Sequence, residues 1–229
     1  MALINDDKME TNSANQKLDY EEGYHSKRHS GHVNKDYYEA RAKIALKKFF
    51  SGIDTNLRIL DYGCGMGQNM LNLSNAIGFD ISKYSTDFCR TKGLDVTNIL
   101  TDIPDESCDI VFSSHVLEHH PFPKTMIEEM RSKLKKGNDM LLVIPYERHG
   151  KAKLELDLNQ HLYMWNFQNI NNLLISSGFK IKKNRYIRGI GYEKWLFLSK
   201  INFGLYHFIT NLTSRLSGIK EIMVVATKL

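Results

Sequence analysis

The stretch LDYGCGMGQNM, residues 60–70, places glycines at 63, 65 and 67 directly behind an apolar run that ends in Asp61. Only 15 glycines occur in 229 residues, and each one inside a regular element costs roughly 0.5–1 kcal/mol relative to alanine. Three at alternate positions therefore need a reason. Either the chain makes a bare tight turn here, or something large lies against the backbone.

The rest of the sequence alternates between two periods. Short apolar runs rich in Ile, Val, Leu and Phe predict strands at 58–61, 76–80, 95–100, 109–113 and 140–145, of the kind buried on both faces. Before them, Tyr38, Ala42, Ala45 and Phe49 recur at helical spacing and predict a helix over 35–50. Phe122, Met126, Ile127, Met130 and Leu134 form a second stripe, closed by Gly137. A further helix is bracketed by Asn166 as N-cap and Gly178 as C-cap. Strands at 179–188 and 221–228 complete the pattern. Seven strands, with helices between the first six, predict a doubly wound α/β sheet whose last two strands are free to pair antiparallel.

No repeat or Pro/Gly/Ser linker divides the chain, so one domain is expected over 35–229, after a flexible tail at 1–34. Hydrophobic residues make up 42% and charged residues 25%, ordinary values for a soluble domain. The net charge of +5 is mild and does not call for a nucleic-acid partner. Cys64, Cys89 and Cys108 are odd in number and lack a CxxC spacing, which argues against a disulfide framework. The N-terminal residues lack the apolar core of a secretory signal. The longest uncharged run, 201–214, falls short of the roughly 20 residues that span a bilayer. A cytoplasmic protein is expected.

In a doubly wound sheet, ligands bind beyond the carboxyl ends of the strands. The first predicted strand runs straight into the glycines, whose amides, with a following helix N-terminus, would face a ligand. The second ends in Asp80, 19 residues beyond Asp61, where an acid commonly accepts hydrogen bonds from ribose hydroxyls. Both NAD and S-adenosylmethionine carry adenosine. The dinucleotide fingerprint requires G-x-G-x-x-G, whereas here the spacing is G-x-G-x-G and position 68 is Gln, which counts against a nicotinamide oxidoreductase.

DYGCGMG resembles the D/E-x-G-x-G-x-G motif of class I S-adenosylmethionine-dependent methyltransferases. SCDIVFSSHVLEHHPFP is similar to that family's fourth strand and following loop, MRSKLKKGNDMLLVIP to its helix, turn and fifth strand, and HLYMWNFQNINNLLISSGFKI to a segment of the sugar- and quinone-type branch. The resemblance covers residues 35–188 and extends to the terminal strand. It implies a Rossmann-like methyltransferase fold with an antiparallel seventh strand. It also implies S-adenosylmethionine as cofactor, held by Asp61, Gly63, Cys64, Gly65, Gly67, Asp80, Ile81, Asp102, Ile103 and Ser114. Asp102 stands where relatives have an acid near the adenine amino group, in a shorter segment. The tail before the first helix would be a flap over the cofactor.

Methyl transfer to a hydroxyl needs a base as well as alignment. His115, Glu118, His119 and His120 follow the fourth strand, and His119, matching the family's LEH, is the first candidate for base or positioning group. His161 is the second. Quinone-type relatives hold a metal with Glu-x-x-Glu-His here; this chain has His115 for the first Glu, and no metal is expected. The acceptor implied is a small molecule, such as a sugar, sugar nucleotide or secondary metabolite, methylated on O or N. A catalytically silent cofactor-binding scaffold is the alternative. Between the last two strands an insertion at 189–219 carries Trp195, Leu198, Ile201, Leu205, Phe208, Leu212 and Leu216 at near-helical spacing, broken near Gly204. Such a stripe docks on its own domain or on a second copy, caps the acceptor pocket, or lies on a membrane surface, for which it has few basic residues. A homodimer through the insertion is the expectation carried forward.

Overall fold

In the computed structural model, which describes residues 35–147, 160–189 and 193–229, the apolar runs align as one seven-stranded sheet. Its strands are β1 (Ile59–Tyr62), β2 (Ala76–Phe79), β3 (Val96–Thr97), β4 (Cys108–Ser114), β5 (Leu134–Pro145), β6 (Phe179–Ile187) and β7 (Glu221–Lys228), in the order β3-β2-β1-β4-β5-β7-β6. The first five pair in parallel, and β7 runs antiparallel between β5 and β6. The doubly wound expectation holds, including the reversed last strand. The flap expected within 1–34 lies outside the described residues.

The helices are α1 (Lys35–Lys48), α2 (Lys83–Thr91), α3 (Pro123–Lys133), α4 (Phe167–Ser176), α5 (Leu196–Ile201) and α6 (Phe203–Leu216). Two expected crossovers differ. No helix joins β1 to β2, where the chain makes successive turns through residues 63–75. The β3–β4 link holds only the short 3-10 turn Leu100–Asp102. After β1 the left-handed backbone at Gly63, Gly65 and Gly67 is incompatible with a helix, and between β3 and β4 the link falls short of the roughly a dozen residues a helical crossover needs. Likewise, β5 begins at Leu134, where the apolar stripe was expected to continue as helix, because Leu134 pairs with Cys108 in β4.

Alternation along each strand splits the interior into two layers. Leu60, Val111, Met140, Leu142 and Ile144 face α3 and α4, whose Met126, Ile127, Met130, Ile170 and Leu174 fill that side. Ile59, Ile110, Phe112, Leu141 and Val143 face the other way, onto Ala45 of α1 with Phe49 and Phe50 beyond its end. The first helix is also pinned by the Tyr38 hydroxyl, which donates to the Met66 carbonyl at 2.9 Å. That bond fixes α1 against the turn that follows β1.

In the insertion, α5 and α6 pack on α1 through Trp195, Leu196, Leu198, Phe203 and Tyr206 against Ala40 and Ile44. The break between them falls at Asn202 rather than Gly204. Its side chain accepts from the Leu205 N–H at 3.0 Å, so it caps α6 as a favoured N-cap residue does. Asn166 caps α4 more fully, accepting from the Gln168 and Asn169 N–H groups while Asn169 answers its own backbone N–H. Asn166→Ala removes that reciprocal pair and should cost about 1 kcal/mol. Thermal unfolding should register a drop of about 2–4 °C, and an unchanged midpoint would show that packing of Ile170 and Leu174 alone holds α4.

Candidate functional site

The three glycines after β1 all adopt left-handed backbone, with φ of 76° at Gly63, 51° at Gly65 and 76° at Gly67. Two are also required by close neighbours. A Cβ at Gly63 would overlap Val116, in the loop after β4, and one at Gly67 would meet Leu94 Cδ1 at 2.5 Å and Cys89 Sγ at 2.8 Å. Gly65 alone faces open space. The amides were expected to be presented to a ligand, yet each is already engaged. Gly63 and Cys64 donate to the Phe79 carbonyl at 2.7 and 3.0 Å, and Gly67 donates to the Cys64 carbonyl at 2.9 Å. Gly65 donates to Asp80 Oδ2 at 2.8 Å. With no helix following β1, the turn offers a bare Cα surface rather than a nest of donors.

Asp80 closes β2 and ties this turn to the next one. Its Oδ1 accepts from the Ser82 N–H at 2.9 Å, opposite the bond from Gly65. The carboxylate thereby bridges the turn after β1 and the start of α2. Asp61 lies deeper, 1% exposed, and neither of its oxygens has a hydrogen-bond partner among the described residues. Burial, with the charge of Asp80 adding to it and Asn69 offsetting a little, raises its pKa to about 8. Ile81 is an exposed side chain beside Asp80, whereas Cys64 and Ile103 are buried in the core. Asp102 is exposed and accepts from the Thr97 hydroxyl at 2.7 Å. Ser114 ends β4, but the hydroxyl that fastens β4 to β1 belongs to Ser113, which donates to the Tyr62 carbonyl at 2.8 Å.

The residues after β4 turn back at His115, which has a left-handed φ of 59°. The 3-10 turn Leu117–His119 follows and buries Glu118 completely. Three imidazoles surround that carboxylate. From Glu118 Oε1, His115 Nδ1 lies at 3.4 Å, and His119 Nε2 and His161 Nε2 both lie at 3.9 Å. None makes a hydrogen bond to it, so both Glu118 oxygens lack such a partner among the described residues. His119 and His161, placed as separate candidates by sequence, stand edge to face with ring centroids 4.8 Å apart.

Each ring is held differently. Burial works against charge on His115, but Glu221, 3.0 Å from its Nε2, and Glu118 outweigh it and lift its pKa to about 10. Burial also penalises the charge of Glu118, and His115 more than offsets this, keeping its pKa low. Burial, with His161 adding to it and Glu118 opposing, lowers the pKa of His119, which favours the neutral ring. His161 Nδ1 sits 2.6 Å from Glu147 Oε1. A carboxylate at that nitrogen fixes the tautomer, leaving Nε2 as the basic atom. Sequence reasoning missed Glu147 and Glu221. The available signals were weak: an acid two residues beyond the fifth strand, and another at the start of the seventh.

One carboxylate oxygen and two imidazole nitrogens, from Glu118, His119 and His161, lie within 4.8 Å of one another. This donor set suits a borderline cation such as zinc better than a hard one. The same cluster, without an ion, pairs a carboxylate-oriented imidazole with a fixed negative charge, which is the arrangement of a general base.

A methyltransferase-domain family matches residues 33–184. No curated protein sequence matches the chain. Among solved structures, a SAM-dependent methyltransferase from Archaeoglobus fulgidus is 18% identical, with a TM-score of 0.56 over 87% of this chain and 100% of that one. A 1,6-didemethyltoxoflavin N1-methyltransferase of Burkholderia thailandensis, with 1,6-didemethyltoxoflavin and S-adenosylhomocysteine bound, is 14% identical, with a TM-score of 0.58 over 90% and 85%. The phosphoethanolamine N-methyltransferase 2 of Haemonchus contortus, in complex with phosphomonomethylethanolamine and S-adenosylhomocysteine, is 15% identical, with a TM-score of 0.58 over 93% of this chain and 60% of that one. The chain belongs to the methyltransferase-domain family, and its fold is that of the class I S-adenosylmethionine-dependent methyltransferases.

Proposed function

We propose that this methyltransferase acts on a hydroxyl of a small-molecule acceptor, with His161 as the base. The observation that carries this reading is the 2.6 Å contact between Glu147 and His161 Nδ1, which leaves Nε2 turned toward Glu118 and His119. S-adenosylmethionine supplies an electrophilic methyl group on a sulfonium. The acceptor hydroxyl would lose its proton to His161 Nε2 as its oxygen takes the methyl group, the S–CH3 bond breaking to release S-adenosylhomocysteine. The imidazolium that forms is stabilised by Glu147 and, at 3.9 Å, by Glu118. The neutral ring of His119, beside it, positions the acceptor oxygen. The two comparison proteins with bound acceptors are both N-methyltransferases of small molecules; they support a small-molecule acceptor, while the choice of a hydroxyl rests on the His161 geometry alone.

The turn fits the cofactor by shape and charge. Gly65, open to space, leaves room for a nucleoside against the backbone, and the Asp80 carboxylate beside it at the end of β2 is the acid placed to meet the ribose hydroxyls. The buried, unpartnered Asp61 suits the ammonium of the amino-acid end. Ile81 would flank the adenine, with Asp102 and the backbone of Ile103 near its edge, while Cys64 and Ser114 shape the floor.

Calorimetric titration should show S-adenosylhomocysteine binding and no response to NAD. Asp80→Ala should weaken that binding by about tenfold to a hundredfold, the loss of a charged hydrogen-bond acceptor. An unchanged dissociation constant in a folded variant would place the ribose elsewhere.

Asp61 carries a linked prediction. Its folded pKa of about 8 lies above the ordinary value of 3.8. The unfolded chain therefore loses this proton first, and the ligand-free protein should lose stability as pH rises from about 4 to 8, by up to about 1.4 kcal/mol per pH unit. Asp61→Asn should flatten that slope, raise the melting temperature at neutral pH and weaken S-adenosylhomocysteine binding. Scanning fluorimetry across pH checks it; a variant less stable than wild type at pH 7 would mean that Asp61 is compensated in the folded protein.

His161→Ala should lower single-turnover methyl transfer by about 10²–10⁴ and leave S-adenosylhomocysteine affinity intact, with Glu147→Gln intermediate. Chelator treatment should leave activity unchanged. Loss on chelation with recovery on adding zinc would make Glu118, His119 and His161 metal ligands instead. Cofactor binding without methylation of any sugar nucleotide, phenol or amine would favour a silent scaffold.

A further inference from the structure

Helix α6 is turned the wrong way for a helix that only packs on its own domain. Its fully buried residues are Tyr206, Thr210 and Ser214, spaced four apart. Thr210 and Ser214 tolerate burial because their hydroxyls donate to carbonyls of the same segment, His207 at 3.0 Å and Ile219 at 2.7 Å. The large apolar side chains point outward: Phe208 is 62% exposed and Leu216 82%, with Leu205 and Leu212 between them, and Ile201 at the end of α5 is 75% exposed. An apolar stripe of this kind, left on the surface, marks a contact with something else.

What lies beside the stripe identifies the partner. Residues 194–220 contain no Asp or Glu. Along one flank of α6, His207, Asn211 and Arg215 meet Lys47 and Lys48 from α1 and Arg185 and Arg188 from β6 and its end. Together they line an open pocket of about 280 Å³. Among the described residues none of these five lysines and arginines forms an ion pair, and the Nε of Arg188 is buried with no hydrogen-bond partner. Lys48 donates to Asn211 Oδ1 at 2.8 Å, and Arg185 to the Lys48 carbonyl at 2.6 Å, so the cations are held in place rather than waving in solvent. Burial lowers the pKa of Lys48 to about 8; Glu221 opposes it more strongly than Lys47, Arg185 or Arg41 each adds to it.

We infer that the α5–α6 face is a membrane-docking surface, which inserts its apolar stripe among lipids and seats an anionic phospholipid headgroup phosphate in the basic pocket. The sequence of the insertion shows few basic residues, and so gave little support for this partner. The structure brings the missing charge from α1 and β6. A second copy of the chain fits worse, because two-fold pairing of this face would bring both basic clusters together with no acid from α5 or α6 to separate them. The inference holds whichever molecule receives the methyl group.

Flotation of the full chain with vesicles tests it, using phosphatidylcholine alone and phosphatidylcholine mixed with phosphatidylglycerol. Binding is expected on the mixed vesicles, to weaken as salt is raised, and to be slight on the neutral ones. Leu212→Asp should lower partitioning by about tenfold or more through loss of apolar insertion, and Arg188→Gln by about fivefold through loss of one headgroup contact. Both variants should keep wild-type S-adenosylhomocysteine affinity, which verifies the fold. No vesicle binding, with calorimetric binding of glycerol phosphate, would make the pocket a site for a soluble phosphate and overturn the inference. So would a dimer that Leu212→Asp dissociates in the absence of vesicle binding, or equal binding to neutral and anionic vesicles.

Discussion

The approach of Val116 to Gly63 sets the geometry of the whole site. Parallel pairing of β1 with β4 brings the ends of both strands to the same edge, and the missing Cβ lets the loop after β4 close directly onto the turn after β1. The Ser113 hydroxyl, bonded to the Tyr62 carbonyl, fastens the two strand ends one residue deeper. A side chain at position 63 would push the loop outward and carry Glu118 and His119 with it. The glycine turn and the turn that carries the imidazole cluster are thus one packed unit, and distances between them are fixed by the core rather than by flexible loops.

Within that unit, negative charge is placed where it is most costly. Asp61 and Glu118 are both buried, and neither has a hydrogen-bond partner among the described residues. Their environments push them in opposite directions. Burial, with Asp80 beside it, drives Asp61 toward its protonated form, whereas Glu118 has His115 beside it and stays ionised. A buried carboxylate that remains ionised, with His119 and His161 at 3.9 Å, beyond hydrogen-bond reach, is poised to respond to a proton arriving on one of them. Structural stability alone does not favour such an arrangement, and sites of this type concentrate where function requires them.

Much of this was legible in the sequence because it is local. The apolar runs that became β1, β2, β4 and β7 are bounded by residues whose preferences agree with the fold, and Asn166 and Gly178 bracket α4 as their chemistry dictates. The glycine spacing identified the turn. What the sequence concealed depends on three-dimensional meetings. The absence of a helix directly after β1 follows from the left-handed backbone that Gly63, Gly65 and Gly67 adopt once packed against their neighbours. The engagement of the glycine amides requires the Phe79 carbonyl to be opposite them. The partners Glu147 and Glu221 reach their imidazoles from strand ends far away in the chain, and no spacing rule relates them to His161 or His115.

The insertion shows the same limit most clearly. Its stripe of Ile201, Leu205, Phe208, Leu212 and Leu216 has the period of a helix packed on a core, and the period is correct. The facing is not, because Tyr206 fits against Ala40 and Ile44 while Thr210 and Ser214 satisfy their hydroxyls within the segment. Periodicity reveals that a helix has an apolar face but not which way that face turns. That is decided by the neighbour with the better fit, here the small-residue surface of α1. Once α6 is seated on that surface, its larger apolar side chains are left outside, and its flank completes a ring of cations drawn from three elements. Charge that is dispersed along the chain, at positions 47, 48, 185, 188 and 215, becomes concentrated only through the fold.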